Sequence, residues 1–391
     1  MINSVLSAIN DKDVIDIHVH IGGPPRENDD LYFWSETFEQ SISFEGIKLV
    51  TRLKESQITA LRYASMLHDQ LRNSKFVDKL VLLGLDAVYS EEGMRLTEAT
   101  HLYVANEYLV YLSRINPSFL FGCSVHPYAP NALERLWACA KNGAVLCKWL
   151  PSSQAIDPTH PLSIKFYRAL ALLDLPLLIH VGPEVTIPSV MEDAEDKLVN
   201  AAAGRFSKAV GSAIEMALDS RAKVILAHAG TPLGTLLDKD NAYWEGVFSS
   251  LLSIIQSQKG ESSLFADVSA FCLPGRFKYV KEVISMAKEA PQRFLYGSDF
   301  PIPVVSLSES KALEDILKAF GWLAGRALPH NDLDKNYQLL KPHFPDQTFT
   351  AAARVLRDPQ SAPLDLQKFL RQLGVRKKRF FWFQSKSRKS S

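Results

Sequence analysis

The chain has 391 residues, 47% of them hydrophobic, and a formal net charge of +1. That length supports a large core, built as one big α/β domain or as two smaller ones. The balanced charge excludes a bulk bias towards nucleic acid or acidic partners. Four cysteines, Cys123, Cys139, Cys147 and Cys272, form no C-x-x-C pair, which fits free thiols in a reducing compartment. The first strand begins almost at the N-terminus, where a signal peptide has no room, and the longest apolar region, ALALLDLPLLIHV, is broken by Asp174 and Pro176. No segment approaches the roughly 20 apolar residues of a membrane helix. The expectation is a cytoplasmic protein with a small-molecule substrate, no specific nucleic-acid partner and no transmembrane segment. A homo-oligomer is compatible with the sequence, which does not decide the point.

Eight short β-rich runs follow one another along the chain: Val14–His20, Leu80–Asp86, Phe119–Val125, Ala144–Leu150, Pro176–Val181, Ala222–His228, Leu264–Val268 and Arg293–Ser298. Helical periodicity separates them, over Thr97–Asn116, Asn131–Asn142, Leu162–Asp174, Phe206–Ser220, Asn241–Gln258 and Phe277–Ala290. Strand then helix, repeated, implies parallel strands with crossover helices. Several runs are apolar throughout, as strands covered on both faces should be. Eight such units point to a TIM-like (β/α)8 barrel, although a doubly wound open sheet has the same local grammar.

Three regions exceed the minimal unit. Pro24–Ala64 is a long connection after the first run, and Gly182–Arg205, after the fifth, holds the acidic residues Glu192, Asp193, Glu195 and Asp196. Long loops on a barrel sit where ligands bind, but a cluster of acids is as readily a solvated face. Thr348–Asp358 reads as a late helix. The barrel is expected over residues 1–360 and a helical C-terminal extension over 361–391. The end, RKKRFFWFQSKSRKSS, mixes seven cations with four aromatics and no acid. It suits an anionic membrane surface or RNA. Docked aromatics with solvated charges are the commoner fate of such a tail.

The polar residues of the apolar runs share one placement. His18 and His20 end the first run, two apart on one strand face and so roughly 6–7 Å from each other. Lys148 lies late in the fourth run, His180 ends the fifth, His228 ends the sixth, and Asp299 follows the eighth. Taken singly, each has an ordinary explanation, such as a hydrogen-bonded core histidine, a snorkelling lysine or a capping aspartate. Jointly they occupy the carboxyl ends of the strands, the rim on which barrels build active sites. Unpaired charges in apolar strands are costly unless a metal or partner takes them. His126 also ends a strand, and the remaining five of the ten histidines sit in helical or loop context.

The motifs DIHVHIG (Asp16–Gly22), IHVG around His180, LAHAG around His228 and YGSDFP (Tyr296–Pro301) resemble those of the amidohydrolase superfamily of metal-dependent hydrolases. The nearest branch is the one that includes aminocarboxymuconate semialdehyde decarboxylase-like enzymes. The likeness covers about the first 300 residues and, more weakly, TAAARVL, where Ala351 replaces a frequent Asn. The resemblance implies that His18, His20 and Asp299 bind a first metal ion. It makes His180 a ligand to one ion or a second, and His228 a second-site ligand or a free catalytic imidazole. In two-metal members a strand-four lysine becomes a bridging carbamate; Lys148 matches by location, whereas one-metal decarboxylase-like members generally lack it.

Imidazole and carboxylate donors suit zinc first, with manganese, iron or nickel also fitting, as one ion or two. Such an ion lowers the pKa of bound water from about 15.7 to about 7. Asp299 would take and return a proton, and His228 would polarise a carbonyl or hold the second ion. Arg26 and Arg276 are the candidate cations for a substrate carboxylate or phosphate, with surface arginines as the ordinary alternative. Three functions follow for testing. The first is a metal-dependent hydrolase of an amide, lactone, ester or cyclic C–N bond, and the second is a nonoxidative decarboxylase or hydratase on the same barrel. The third is a non-catalytic interaction module, against which the complete ligand set argues.

Overall fold

A computed structural model of the chain describes residues 8–24, 31–51, 59–181, 186–190, 213–231, 241–257, 263–271, 276–302 and 331–375. The strands are β1 (Ile15–His20), β2 (Tyr32–Trp34), β3 (Lys79–Leu83), β4 (Leu102–Val104), β5 (Phe119–Cys123), β6 (Ala144–Trp149), β7 (Leu177–Ile179), β8 (Val224–Leu226), β9 (Leu264–Asp267) and β10 (Phe294–Leu295). All eight expected runs form strands, joined in the order β1-β3-β5-β6-β7-β8-β9-β10, every pair parallel. The sheet closes on itself. Val19 pairs in parallel with Phe300, the His20 N–H donates to the Phe300 carbonyl at 2.8 Å, and the Ile17 N–H donates to Tyr296 at 3.2 Å. With helices between the strands, this is a TIM (β/α)8 barrel.

Helices cover the strands because their apolar faces match the outer sheet surface. Ala132–Lys141 lies between β5 and β6, Pro161–Leu172 between β6 and β7, Asn241–Ser257 between β8 and β9, and Phe277–Glu289 between β9 and β10. Pro161 starts its helix where a missing N–H costs nothing, and the His160 ring caps it by accepting from the Leu162 N–H at 3.2 Å.

Two apolar clusters separate the faces of the sheet. Val81, Leu83, Leu120, Leu146, Leu178, Ile225 and Leu295 meet inside the barrel, whereas Leu80, Leu82, Phe121, Ile179 and Leu226 pack outward against the helices. Ala351, Ala352, Val355 and Leu356 join the inner cluster. Arg357 follows them, and its Nε donates to the Leu173 carbonyl at 3.1 Å while its N–H donates to Val145 at 3.0 Å. Val145 lies at the start of β6 and Leu173 at the end of the helix that leads into β7, so the segment seals the end of the barrel opposite the histidines.

The structure corrects three expectations. The helix read over Thr97–Asn116 has a single 3-10 turn at Thr97–Ala99 and is an α-helix only from Asn106 to Ile115. Before it, β4 pairs antiparallel with β2, burying Leu102 and Val104 and leaving Tyr103 half-buried, a period-2 pattern inside an apolar-rich stretch. The long connection after β1 is also not a bare loop: Glu36–Glu39 and Ile42–Thr51 are helical within it, and its end opens Ala60–Arg72, capped by Thr59 and buried through Tyr63, Leu67 and Leu71. The late helix is two short ones, Asp346–Thr350 and Ala352–Val355. Further on, Leu366–Gln372 packs on Ala132–Lys141, with Phe369 fully buried and Trp137 Nε1 donating to the Leu364 carbonyl at 2.6 Å. The acidic cluster of residues 192–196 and the basic tail lie outside the described residues. Among the described residues no helix is long and apolar enough to cross a membrane.

The barrel interior leaves one position no room for a side chain. A Cβ on Gly122 would come within 2.8 Å of Leu83, 2.9 Å of Val81 and 3.1 Å of the Leu82 carbonyl. Gly122→Ala is therefore expected to cost about 1–3 kcal/mol, read as a lower midpoint in denaturant unfolding; an unchanged midpoint would refute the packing argument.

Candidate functional site

Two irregularities aim the site residues. On β1, Ile15 and Ile17 join the inner cluster while Val19 and Ile21 join the outer one. The pairing with β3 shifts register between Asp16 and Val19. Strict alternation from Ile15 and Ile17 would turn His18 and His20 outward; the extra residue turns them in, as bulges do. On β6 the register shifts where Phe121 faces Ala144 but Gly122 faces Leu146. The shift puts Leu146, and two residues later Lys148, on the inner face.

The inward side chains converge. His18 Nε2 is 3.2 Å from His20 Nε2, 3.3 Å from Asp299 Oδ1 and 3.2 Å from Lys148 Nζ. His20 Nε2 is 3.4 Å from the same Asp299 oxygen. Metal–ligand bonds of about 2.0–2.1 Å in a tetrahedron put neighbouring ligand atoms about 3.3–3.4 Å apart. The His18–His20–Asp299 triangle has that size, so these residues fit a divalent ion. Among the described residues a second group, His18, His228 and Asp267, also brings three potential ligand atoms together. Its His18 Nδ1 to Asp267 Oδ2 distance of 2.8 Å is a hydrogen bond, shorter than a ligand edge.

His228 stacks on His18, with ring centroids 5.1 Å apart and planes 16° apart, and its Nε2 is 3.8 Å from Asp299 Oδ2. His180 stands next to His228, ring centroids 5.3 Å apart. His228 and Ala229 both adopt left-handed backbone, φ 54° and 52°, as does Asp299 at φ 60°. Such backbone costs of order 1–3 kcal/mol per residue and clusters at functional sites. Gly297, in the motif before Asp299, makes close approach workable, since a Cβ there would meet the His18 Cβ at 3.0 Å.

Buried partners fix this arrangement. Asp16 Oδ1 accepts from the N–H groups of His18, 3.1 Å, and Ser298, 2.9 Å, tying the strand that carries the histidines to the turn that carries Asp299. Burial raises the Asp16 carboxyl to about 6, against the pull of those hydrogen bonds. Burial would also raise Asp299, but His18, His20 and Lys148 outweigh it and hold the carboxyl at about 2. Burial pushes His228 well below its usual value, and the charge of Arg276 pushes it further. His20 is lowered as well, chiefly by burial.

Residues 15–337 match the family model described as amidohydrolase. The chain belongs to the amidohydrolase family. No curated protein matches it. Similar solved structures include a putative 2-pyrone-4,6-dicarboxylic acid hydrolase from Pseudomonas putida, with 14% identity over 88% of this chain and 98% of that one and a TM-score of 0.48. Another is a 5-carboxyvanillate decarboxylase from Sphingomonas paucimobilis, with 14% identity over 89% and 99% and a TM-score of 0.42. A third, an amidohydrolase 2 from Bifidobacterium longum subsp. infantis, shares 16% identity over 87% and 99% with a TM-score of 0.42.

In this amidohydrolase-family barrel, six of the eight residues singled out from sequence gather at one mouth: His18, His20, Lys148, His180, His228 and Asp299. A seventh, Arg276, is 3% exposed, and its charge reaches His228. The eighth, Arg26, lies outside the described residues. Sequence reasoning missed Asp267 and Ser269, in DVSAF at the end of β9. The signal was there, a carboxylate closing an apolar run, but the seventh run, like the second, was one to which no ionisable residue was assigned.

His126 also lies near this end of the barrel, with a different job. Its Nδ1 accepts from the Tyr128 N–H at 3.1 Å and its Nε2 donates to the Gln154 carbonyl at 2.8 Å, so both nitrogens are spent on the protein. Burial lowers its pKa from 6.5 to about 3. Between those values the unfolded chain binds the extra proton, so stability present above pH 6.5 drains as the pH falls towards 3, by up to about 1.4 kcal/mol per pH unit. In His126→Gln that slope should flatten, measured by urea unfolding across this pH range; an unaltered slope would remove His126 as its source.

Proposed function

We propose that this chain is a metal-dependent hydrolase acting on an amide, lactone, ester or cyclic C–N bond of a small molecule. The observation that carries the reading is the His18–His20–Asp299 triangle, whose edges of 3.2 to 3.4 Å have the size of a divalent-ion site. When bound, such an ion acidifies water and polarises a carbonyl or carboxylate oxygen. His18, His20 and Asp299 would hold it. Asp299, ionised and at the centre of the cluster, accepts the proton that water loses on attack and returns it to the leaving group. His228, kept uncharged by burial and by neighbouring cations, directs Nε2 at the substrate carbonyl or holds a second ion with His180. Lys148 would either stay an amine beside His18 or, as a carbamate, help to hold a second ion. Arg276 pairs with an anionic group of the substrate.

A second reading, a nonoxidative decarboxylase or hydratase, draws support from Arg276, because a buried guanidinium near His228 suits a substrate carboxylate. Ion content separates the two. Two ions per chain, reduced by Lys148→Ala and restored with bicarbonate in the native chain, favour hydrolysis. One ion, indifferent to Lys148→Ala, favours the lyase. Elemental analysis of purified protein is the deciding measurement, and a wild-type chain that binds no divalent ion would return the reading to an interaction module.

His18→Ala and Asp299→Ala should each abolish turnover and stoichiometric ion binding in a chain that still folds, with a lower unfolding midpoint for the ion-free His18→Ala protein because it strips the buried Asp267 carboxylate of a partner. Gross unfolding of both would mark them as structural. For a carboxylate-bearing substrate, Arg276→Ala should raise KM about 10–100-fold with a smaller change in kcat, the worth of one charged hydrogen-bonded pair. A KM within twofold of wild type would take Arg276 out of the binding site.

A further inference from the structure

Asp267 ends β9 and Ser269 follows it two residues later, beneath the two stacked histidines, and both are fully buried. Asp267 Oδ2 lies 2.8 Å from His18 Nδ1. Its other oxygen, Oδ1, accepts from the His228 N–H at 2.8 Å, from the Ser269 N–H at 3.1 Å and from the Ser269 hydroxyl in a short hydrogen bond. Ser269 Oγ in turn lies 2.8 Å from His228 Nδ1.

The donors can be counted. A carboxylate only accepts, so His18 Nδ1 must carry the hydrogen in its contact with Asp267. A serine hydroxyl has one hydrogen, and Ser269 gives it to Asp267. Its oxygen can then only accept from His228, which puts a hydrogen on His228 Nδ1 as well. Ser269 Oγ also sits 3.3 Å from His18 Nδ1, where it can again only accept. One carboxylate thus dictates the tautomer of two imidazoles on two other strands and frees both Nε2 atoms for the side where Asp299 lies. His126 shows the contrast, since its Nδ1 accepts and its Nε2 donates.

We propose that Asp267, acting directly on His18 and through Ser269 on His228, is the positioning group that holds both rings as Nδ1–H tautomers with their Nε2 atoms turned into the site. Asp267 also bonds the His228 N–H in its left-handed turn, so it fixes that ring's backbone together with its tautomer. The ring assignment stands without an ion; only its effect on ion affinity rests on the function proposed above.

The test uses the full-length, ion-free, 15N-labelled chain at pH 8, with long-range 1H–15N correlation of the imidazole rings. Wild type should show His18 and His228 as Nδ1–H tautomers. Ser269→Ala should convert part of the His228 signal to Nε2–H and leave His18 in place, and Ser269→Thr, which keeps the hydroxyl, should restore His228. Asp267→Asn should disturb both rings and weaken zinc binding, measured with zinc alone against a chelator, about 10–100-fold. A wild-type Nε2–H signal from His228, or a Ser269→Ala spectrum with both rings unmoved, overturns the proposal. Should Asp267→Asn fail to fold, the two serine variants carry the test. Expected tautomers in a chain that binds no zinc would support the positioning role and overturn the metal reading instead.

Discussion

The imidazole of His18 touches groups delivered by four other parts of the barrel. Its Nδ1 is bound by Asp267 at the end of β9, and its Nε2 faces Lys148 from β6 and Asp299 from the turn after β10. Its flat face lies against His228, which follows β8. His20 completes the set from the same strand. Once the Nδ1 hydrogen is committed to a carboxylate, the ring has a single direction in which Nε2 can point, and every other group at the mouth is arranged around that direction. Metal-binding histidines are held in this way by carboxylates behind them, which fixes the tautomer and strengthens the donor atom.

Such a cluster is expensive to bury. Asp16, Asp267 and Asp299, with Lys148 and Arg276, sit among apolar strands, each nearly removed from water. Buried ionisable groups persist only where hydrogen bonds and opposite charges replace solvent. Here they do. The two carboxylates facing the histidines are held ionised, and the one behind them, Asp16, is pushed the other way, towards its neutral form. Its role is mechanical, a clasp between β1 and the Ser298 N–H. That division explains why a short motif carries an aspartate two residues before its first histidine.

The backbone shares the cost. His228, Ala229 and Asp299 occupy left-handed conformations that L-residues avoid, and His228 is anchored on both sides. The His228 carbonyl accepts from the Thr231 hydroxyl at 2.7 Å while its N–H is taken by Asp267. Gly297 omits the side chain that would press on His18. A rigid barrel below, packed tightly enough to require glycine at position 122, can hold strain of this kind because its strands have no room to relax.

Much of this was legible in the linear order of residues. The eight apolar runs, their helical spacers and the polar residues at the ends of several of them reflect local periodicity and burial preference, which a sequence states directly. The gathering of His18, His20, Lys148, His180, His228 and Asp299 could be read for the same reason, because a parallel barrel sends all strand ends to one mouth. Other features depended on partners far away in the chain. The period-2 pattern of Leu102–Val104 became a strand only because β2 lies alongside it. The facing of His18, His20 and Lys148 depended on two register shifts, visible only once β1 met β3 and β5 met β6. Asp267 looked like any acid closing a strand until closure of the barrel set it under two histidines. Sequence alone determined which polar side chains gather and on which rim; tertiary structure decided where each nitrogen points, because tautomer and orientation belong to hydrogen bonds made across strands that are distant in the chain.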